Sequence, residues 1–415
     1  MNIWLVYPYG AIPGEGKRPD RASMIAEALS ADGHTVTWWA SAFDHSNKKF
    51  RTKNLTNIEV SSNFIIRLVP TTGYTKNISL KRIFHENRYS RNIYSISSDY
   101  DPPDVIILSE PALFRSGPVL KLVEKYKCLL VLDILDIWPE LFKIVLPKNL
   151  QFLGNFFFKP WYKRREKLFQ KANAILAVSN SYIELAKRVN PNIPIELTEI
   201  VHFGTNVAAQ RKDMNSPSIL PSPLNIQKKI SGEVWAIYAS TLGSNYDVDT
   251  LLKTAKLIEE KNVHIKLLIA GEGPLRKEIE SFIKFNNLKR TMYIGNPDSK
   301  VLAHIFSLSD IGLSMYLKES SVTFPIKAFH YFAAGLPIVN SLNGDLSTIL
   351  SDNKAGMQYR AEDHESLFEV LNYLASNTDK RAEMSKNSYN LAMNFDQNVQ
   401  YKKFTEILKR LSIGI

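Results

Sequence analysis

The chain has 415 residues, of which 45% are hydrophobic and 22% are charged. That length is too great for a single hydrophobic core, so we expect two domains of nearly equal size, and the composition argues against a disordered chain. The formal net charge of +11 indicates a polyanionic partner, such as anionic lipid, a nucleotide diphosphate or nucleic acid. Nucleic acid fits least well, because the sequence has no reader motif and no basic repeat with interleaved aromatic residues.

The single cysteine, Cys128, lies in an apolar run, where a buried hydrophobe is favoured over a nucleophile. Without a second cysteine the chain cannot form an internal disulfide, which fits a reducing compartment. The apolar run after Met1 is too short for a signal peptide, and no segment approaches the ~20 apolar residues that cross a bilayer. We therefore expect a cytoplasmic protein.

Short apolar runs alternate with longer helical patterns along the chain, which predicts parallel sheets covered by helices. In the first half the predicted strands are 3–7, 35–39, 64–69, 105–108, 129–132 and 174–178. The pattern breaks at about 206–232, where Pro217, Pro221 and Pro223 lie among polar residues. A second alternation follows, with predicted strands at 234–239, 265–270, 292–294, 311–315 and 337–339.

This pattern predicts an α/β chain of two doubly wound, Rossmann-like domains that face a central cleft. We place the N-terminal domain at 1–206, a linker at 207–232 and the C-terminal domain at 233–390. The remaining segment, 391–415, is predicted to contain a basic helix that packs back on the N-terminal domain. Each domain should present its ligand at the carboxyl ends of its strands.

The segment 323–339 reads as a helix directed at an anion and followed by a buried strand. Thr323 is expected to cap the helix and Pro325 suits its first turn. The free N–H groups there attract phosphate, and Lys327 adds a mobile positive charge. Gly335 then ends the helix before the strand. An ordinary amphipathic helix that enters a core strand is the alternative interpretation.

Several further short segments of the sequence are each a weak indication of a family, but their combination in this order is specific. They are 13–16 with Arg18 and Arg21, 32–36, 38–45, 133–140, 177–181, 240–243 with Tyr246 and Asp247, and 270–274. Together with 323–339 they resemble the B-fold glycosyltransferases, in particular the family 4 retaining enzymes that build bacterial O-antigen and capsular polysaccharides. The resemblance runs along most of the chain.

The resemblance implies that the N-terminal domain binds an acceptor and that the C-terminal domain binds a nucleotide-diphosphate sugar, with no metal ion or other cofactor. The implied donor-binding residues are Gly14, Gly16, Thr241, Gly243, Gly271, Glu272, Gly295, Thr323, Lys327 and His330. The family usually carries two acids in the donor loop, where this chain has Val322 and His330. Lys327 becomes the leading candidate to neutralise the leaving diphosphate.

Three motifs can be explained by a structural role as well as by a functional one. The glycines of 14–16 suit a phosphate loop or a plain flexible loop, since neither the nucleoside-triphosphatase nor the dinucleotide fingerprint is complete. Asp247-Val248-Asp249 matches the metal-binding Asp-x-Asp string of another fold, but it is expected to cap a helix instead. Gly271-Glu272-Gly273-Pro274 can be a mere turn between a strand and a helix.

The candidate catalytic residues are Asp136, Lys327 and His45. Asp136 follows a strongly apolar strand, and the resemblance places its loop beside the acceptor, where it could orient or deprotonate the attacking hydroxyl. Capping of a helix that runs through Glu140 is an equal alternative. His45 is a second candidate to bind the acceptor, although a lone histidine is more often structural.

The segment 152–167 joins an aromatic cluster to a basic run, a composition that suits contact with anionic lipid. A buried helix with a solvated basic face is the alternative. The residues implied at the acceptor and membrane surface are Trp138, Glu140, Phe157, Trp161, Lys163, Arg164 and Arg165.

We therefore expect a hexosyltransferase-type, retaining glycosyltransferase, peripheral on the inner face of the cytoplasmic membrane. It would move a sugar from a nucleotide sugar to a polyprenyl-linked saccharide in surface polysaccharide biosynthesis. Two rivals are a nucleotide-sugar 2-epimerase of the same fold, which needs no acceptor, and a two-domain protein that binds a ligand without turnover. The sequence does not name the sugar, the base, the acceptor or the linkage.

Overall fold

A computed structural model describes residues 1–16, 19–140, 154–216, 220, 229–243 and 246–413. The chain divides into two compact units. Unit 1 comprises Met1–His202 and Gln400–Ile415, and unit 2 comprises Phe203–Val399. No helix in the described ranges combines the length and the apolar character that a membrane span requires.

Unit 1 is built on an eight-stranded sheet of order β10-β9-β8-β7-β1-β2-β6-β5. Its strands are β1 (Asn2–Val6), β2 (Thr35–Ser41), β5 (Thr56–Ser61), β6 (Phe64–Val69), β7 (Val105–Glu110), β8 (Leu129–Ile134), β9 (Ala174–Ala177) and β10 (Thr198–Ile200). The edge strand β5 pairs antiparallel with β6, whereas the other pairs in the sheet are parallel. A separate two-stranded ribbon joins β3 (Phe43–Asp44) to β4 (Lys49–Phe50).

The helices of unit 1 cover this sheet. They are α1 (Arg21–Ala31), α2 (Leu80–Ile96), α3 (Ser116–Tyr126), α4 (Gly154–Phe157), α5 (Lys159–Gln170) and α6 (Asn180–Val189). Asp20 caps α1 by accepting from the Ser23 N–H. The central strands are buried on both faces and read as continuous apolar runs, with Trp4, Trp38 and Trp39 in the core.

Unit 2 contains a six-stranded parallel sheet of order β13-β12-β11-β14-β15-β16. Its strands are β11 (Val234–Ala239), β12 (Ile265–Ala270), β13 (Thr291–Tyr293), β14 (Ile311–Ser314), β15 (Ile338–Asn340) and β16 (Gly356–Gln358). The chain adds strands on one side of β11 and then returns to add them on the other side. The order therefore reverses between β11 and β14, as in dinucleotide-binding folds.

The helices of unit 2 lie on both faces of its sheet, where two apolar clusters form the core. They are α7 (Val207–Met214), α8 (Val248–Glu260), α9 (Arg276–Phe285), α10 (Ser299–Leu308), α11 (Ile326–Ala333), α12 (Asp345–Asp352), α13 (His364–Ser376) and α14 (Thr378–Leu391). Asp247 caps α8 by accepting from the Thr250 N–H at 3.3 Å. This is the capping role that the sequence favoured for the Asp-x-Asp string.

The predicted α/β class with parallel, Rossmann-like sheets is confirmed, and the predicted strands coincide with observed strands to within two residues at each end. The segment predicted as a linker, 207–232, differs, because it begins with the helix α7, whose Val207 is buried in the core of unit 2. The predicted C-terminal helix is α15 (Gln397–Ile413), most of which belongs to unit 1.

Candidate active site

The carboxyl ends of β11 and β14 form the natural ligand site of unit 2, since ligands of open parallel sheets bind where the strand order reverses. Ser240 directly follows β11, and Tyr316 comes two residues after β14. Helix α11 brings Lys327 to the same point. Its Nζ donates a hydrogen bond of 2.8 Å to the Ser240 hydroxyl. The Ser240 hydroxyl and the Lys327 amine thus lie together at the point where the strand order reverses.

Three tyrosine rings surround the Lys327 amine. The Nζ atom lies 4.8 Å from the ring centres of Tyr238 and Tyr246 and 4.9 Å from that of Tyr316. Ring faces attract a cation, so this lysine cage favours the ammonium form. Burial acts in the opposite direction and lowers the pKa of Lys327 to about 7.

Other buried cations in the described ranges have carboxylate partners. Arg21 pairs with Asp133 at 2.7 Å, Arg115 with Glu86 at 2.6 Å, and Arg165 with Glu140 at 2.6 Å. Among the described residues no salt bridge joins Lys327 to a carboxylate. A charge that is withdrawn from water and left without a counter-ion is costly, and a bound anion would offset that cost.

Helix α11 begins two residues later than predicted. Its first residue is Ile326 and its N-cap position is Pro325, so the prediction that Thr323 caps the helix is wrong. The Thr323 carbonyl instead accepts from the Leu346 N–H at 3.4 Å. The extended backbone of Pro325 ends the preceding loop and fixes the first turn, which brings Lys327 onto the positive end of the helix dipole.

Gly271 permits a close backbone approach beside the lysine cage. Its φ is +138°, and a Cβ added there would lie 1.8 Å from the Ser240 carbonyl oxygen. Its N–H donates to the Gly295 carbonyl at 2.7 Å. These two residues, both predicted to bind the sugar donor, therefore lie together. Glu272 pairs with Arg276 at 3.1 Å on the surface. Thr241 is exposed and Gly243 is partly exposed after β11.

His330 has protein partners on α7 and just before it in the chain. Its Nδ1 lies 2.7 Å from Oε1 of Gln210 and 3.3 Å from the Thr205 hydroxyl, and the Gln210 amide donates to the His330 carbonyl. These contacts hold the His330 ring within unit 2, and the contact of His330 with the sugar donor that the resemblance implies stays a prediction. Val322, at the other position where the family usually has an acid, is 38% exposed.

In unit 1, polar and aromatic side chains gather beyond the ends of β1, β2 and β6. The ring of His45 hydrogen-bonds with the Tyr74 hydroxyl and lies 4.7 Å from the Tyr9 ring. Burial, reinforced by the nearby charge of Lys48, lowers the pKa of His45 to about 4. A neutral imidazole at pH 7 can accept a hydrogen bond, which is compatible with its predicted contact with an acceptor hydroxyl.

The loop after β8 holds the other predicted acceptor residues. Asp136 accepts from the N–H of Ile137 at 3.0 Å, and burial raises the pKa of its carboxyl. The Trp138 ring lies 5.1 Å from the Arg82 guanidinium. Glu140 forms a salt bridge with Arg165, and Arg165 also donates to the Trp138 carbonyl at 2.9 Å. Glu140 and Arg165 therefore have a structural partnership in addition to their predicted role.

The loop after β1 places Gly14 and Gly16 at φ values of +91° and +67°. Between them, Glu15 is held by Arg51 at 2.6 Å, so this part of the loop is anchored to unit 1. The predicted lipid-facing residues Phe157, Lys163 and Arg164 are exposed. Trp161 is partly buried with its ring stacked on Phe158, and residues 141–153 lie outside the described ranges.

Sequence reasoning found Lys327 but missed most of its surroundings, and it also missed Glu110. Glu110 is the last residue of β7 and lies at the point where the strand order of unit 1 reverses. Burial raises the pKa of this carboxyl to about 7, and its Oε1 atom has no hydrogen-bond partner among the described residues. No cluster of His, Cys, Asp or Glu suited to a metal ion occurs in the described ranges.

The family described as "Glycosyl transferases group 1" matches residues 224–391. The matched residues all lie in unit 2, so the likeness to this family is confined to that unit. The match contains β11, the lysine cage, α11 and the turn at Gly271, so it covers the site assembled from the structure.

Solved structures with similar folds cover nearly the whole chain. Sucrose-phosphate synthase from Thermosynechococcus elongatus is 15% identical with a TM-score of 0.72, and the alignment covers 100% of both chains. Anabaena HepE in complex with UDP is 14% identical with a TM-score of 0.68, over 99% of this chain and 100% of HepE. These likenesses establish the glycosyltransferase B fold.

Two curated relatives match parts of the chain. UDP-glycosyltransferase TURAN of Arabidopsis thaliana is 28% identical over 113 residues, which are 26% of this chain and 24% of TURAN. Chitobiosyldiphosphodolichol beta-mannosyltransferase of Candida albicans is 25% identical over 266 residues, 61% of this chain and 56% of that protein. The chain thus matches about a quarter and just over half of the lengths of these relatives.

Proposed function

We propose that the protein is a retaining glycosyltransferase that moves a hexose from a nucleotide-diphosphate sugar to a lipid-linked saccharide. The observation that carries this proposal is the lysine cage, where a desolvated amine lies at the point where the strand order of unit 2 reverses and has no carboxylate partner among the described residues. A diphosphate would supply the missing negative charge. The match to the group 1 family, and the description of HepE in complex with UDP and with UDP-glucose, support a nucleotide-sugar donor.

The proposed chemistry is electrostatic. As the bond between the sugar and the diphosphate breaks, negative charge grows on the leaving phosphate oxygens. The Lys327 ammonium would bind those oxygens, and the positive end of α11 would add a second, fixed contribution. Lys327 and the helix start are therefore proposed to supply the positive charge without a metal ion.

The acceptor is proposed to bind at the carboxyl end of the unit 1 sheet. His45, neutral at pH 7, would accept a hydrogen bond from a sugar hydroxyl, and Asp136 would orient the attacking hydroxyl. The name of the Candida albicans relative describes a saccharide linked to a lipid diphosphate, which supports a lipid-linked acceptor. Exposed Phe157 and Arg164 support contact with a membrane surface. We propose that this surface is the inner face of the cytoplasmic membrane and that the reaction belongs to O-antigen or capsule biosynthesis.

The first experiment measures nucleotide release from UDP-, GDP- and dTDP-sugars, with and without a membrane extract that contains lipid-linked acceptors. Release that requires one donor and the extract is the expected result. A changed sugar formed from donor alone would favour the epimerase, and binding without release in every mixture would favour the binding protein.

The matched variants are Lys327→Ala and Lys256→Ala, the latter at an exposed lysine on α8 of the same unit. Loss of one preorganised positive charge at the leaving group costs on the order of 10²-fold in rate. We expect that loss for Lys327→Ala and no change for Lys256→Ala. Equal release by both variants would contradict the assignment of Lys327.

A further inference from the structure

Helix α2 presents an unusual face to solvent. Leu80 and Phe84 are 74% and 70% exposed, and Arg88 and Arg91 continue the same stripe at helical spacing. The solvent-facing stripe of a helix is ordinarily polar. Ile78, just before the helix, is also exposed. The first turns of α2 thus combine large apolar side chains with cations that follow them along the helix.

Two adjoining grooves extend this face across unit 1. One, of about 580 Å³, is lined by Lys81, Phe84, Arg88 and Arg91 among others. The second, of about 540 Å³, lies between α2, α3 and α5 and shares Arg91 and Asn87 with the first. Among the described residues, the charged side chains that line the two grooves are Lys81, Arg88, Arg91, Lys121, Arg164 and Lys167, with Glu124 as the one carboxylate.

We propose that the α2 face, defined as Leu80, Phe84, Arg88 and Arg91, contacts an anionic lipid bilayer. Exposed apolar side chains beside a cluster of cations are the pattern of an element that lies in the membrane interface. Each cation near an anionic surface adds to the attraction, and six cations against one carboxylate give strong complementarity to phospholipid headgroups. The α2 face itself lies outside the run 152–167 that the sequence predicted, but that run contributes Arg164 and Lys167 to the second groove.

The opposite side of α2 connects this surface to the acceptor end of unit 1. Glu86, buried on α2, accepts from the Tyr9 hydroxyl at 2.8 Å and from Arg115 at 2.6 Å. Arg82 lies over the rings of both Tyr9 and Trp138. A bilayer against the α2 face would therefore lie beside the residues proposed to bind the acceptor. In this respect the inference rests on the proposed function, since a lipid-linked acceptor would enter from that bilayer.

The test measures how the full chain partitions onto vesicles, by flotation. Vesicles of phosphatidylcholine with phosphatidylglycerol are compared with vesicles of phosphatidylcholine alone, in the absence of donor and acceptor. We expect binding to the anionic vesicles that weakens as salt is raised. Leu80→Ser/Phe84→Ser should reduce the partition coefficient at least about tenfold, because two apolar side chains no longer enter the interface.

The matched control is Phe285→Ser, which removes a 90% exposed phenylalanine at the end of α9 in unit 2. This variant should bind vesicles as the unaltered protein does. Arg88→Ser and Arg91→Ser should each weaken binding to anionic vesicles about fivefold, in line with the attraction of one cation. Since all these side chains are exposed, circular dichroism and the thermal transition should not change.

Three results would overturn the inference. They are no binding of the unaltered protein to anionic vesicles, equal binding by Leu80→Ser/Phe84→Ser, and loss of self-association as the main effect of that variant, which would indicate contact with a second copy of the chain. Vesicle binding requires no turnover, so it can fail or succeed independently of the glycosyltransferase assay. Affinity for UDP, measured in parallel, should be the same for every α2 variant.

Discussion

Replacement of Lys327 by methionine should stabilise the ligand-free protein at neutral pH. Methionine keeps an unbranched side chain of similar length among the three rings but carries no charge. The ammonium that it removes is desolvated and has no carboxylate partner among the described residues. A substitution that abolishes donor binding is therefore expected to raise the free energy of unfolding.

The magnitude follows from the pKa. Burial lowers the pKa of Lys327 from 10.5 to about 7. At about 1.36 kcal/mol for each pH unit, the penalty for the buried ammonium is about 5 kcal/mol. Attraction between the ammonium and the three rings lowers this penalty and raises the pKa of Lys327 by the same free energy. The gain for Lys327→Met below pH 7 is then at most about 5 kcal/mol.

The gain should depend on pH with a definite sign. Below pH 7 the amine is charged in the folded and the unfolded chain, so the penalty is fully present. Between about pH 7 and 10.5 the unfolded chain binds a proton that the folded chain has released, and the unaltered protein therefore becomes more stable as pH rises. The advantage of Lys327→Met should shrink by up to about 1.4 kcal/mol for each pH unit above 7 until it disappears.

The assay is urea denaturation of the unaltered protein and of Lys327→Met between pH 6 and pH 9. Comparison of the two proteins at each pH cancels the titration of every other group. Lys256→Met, at an exposed lysine of the same unit, is the control and should leave stability nearly unchanged throughout. A difference that stays constant with pH, or a Lys327→Met variant less stable at pH 6, would refute the reasoning.

Three further predictions concern the two sheet edges. The dissociation constant for UDP should rise about tenfold for each pH unit above 7, since the bound diphosphate requires charged Lys327, and calorimetry in two buffers at pH 8 should detect proton uptake. Gly271→Ala should destabilise unit 2 by more than about 2 kcal/mol in thermal denaturation, because its Cβ would collide with the Ser240 carbonyl. Folding raises the pKa of Glu110, so the unaltered protein should lose stability as pH rises from 4.5 to 7 and the buried carboxyl ionises. The free energy of unfolding of Glu110→Gln should therefore increase relative to that of the unaltered protein by up to about 3 kcal/mol over this range. A difference between the two proteins that does not change with pH would contradict this prediction.

The central strands were predictable because both of their faces are buried. The bounds predicted for β11 and β12 are the observed ones, since a strand covered by helices on both sides reads as an unbroken apolar run. The edge strands β5, β10 and β16 were missed. Residues of β5 are mostly exposed, and the three residues of β10 are only partly buried. Such strands are defined by pairing with a neighbour, which a local apolar pattern does not encode.

The site was predictable where a local pattern carried it. The segment 323–339 predicted Lys327 beside a helix start, and the glycines at 271 and 273 predicted a turn between a strand and a helix. The tyrosines of the lysine cage were missed because they come from three separate places, the interior of β11, the loop before α8 and the loop after β14. Parallel pairing of β11 with β14 brings Tyr238 and Tyr316 together, and this is a long-range contact.

The cost borne by Lys327 is the strongest physical argument for an anionic ligand. Arg21 and Arg115 are almost fully buried in unit 1, yet each is matched by a carboxylate within 2.7 Å, so their charges are balanced within the fold. In unit 2, Val322 and His330 stand where the resembling family has acids, and the described contacts leave the Lys327 ammonium with a hydroxyl and three rings. A fold that only had to be stable would gain from an apolar side chain there. The amine becomes favourable once a negatively charged group occupies the end of β11, and a nucleotide diphosphate has the charge and the oxygen atoms to do so.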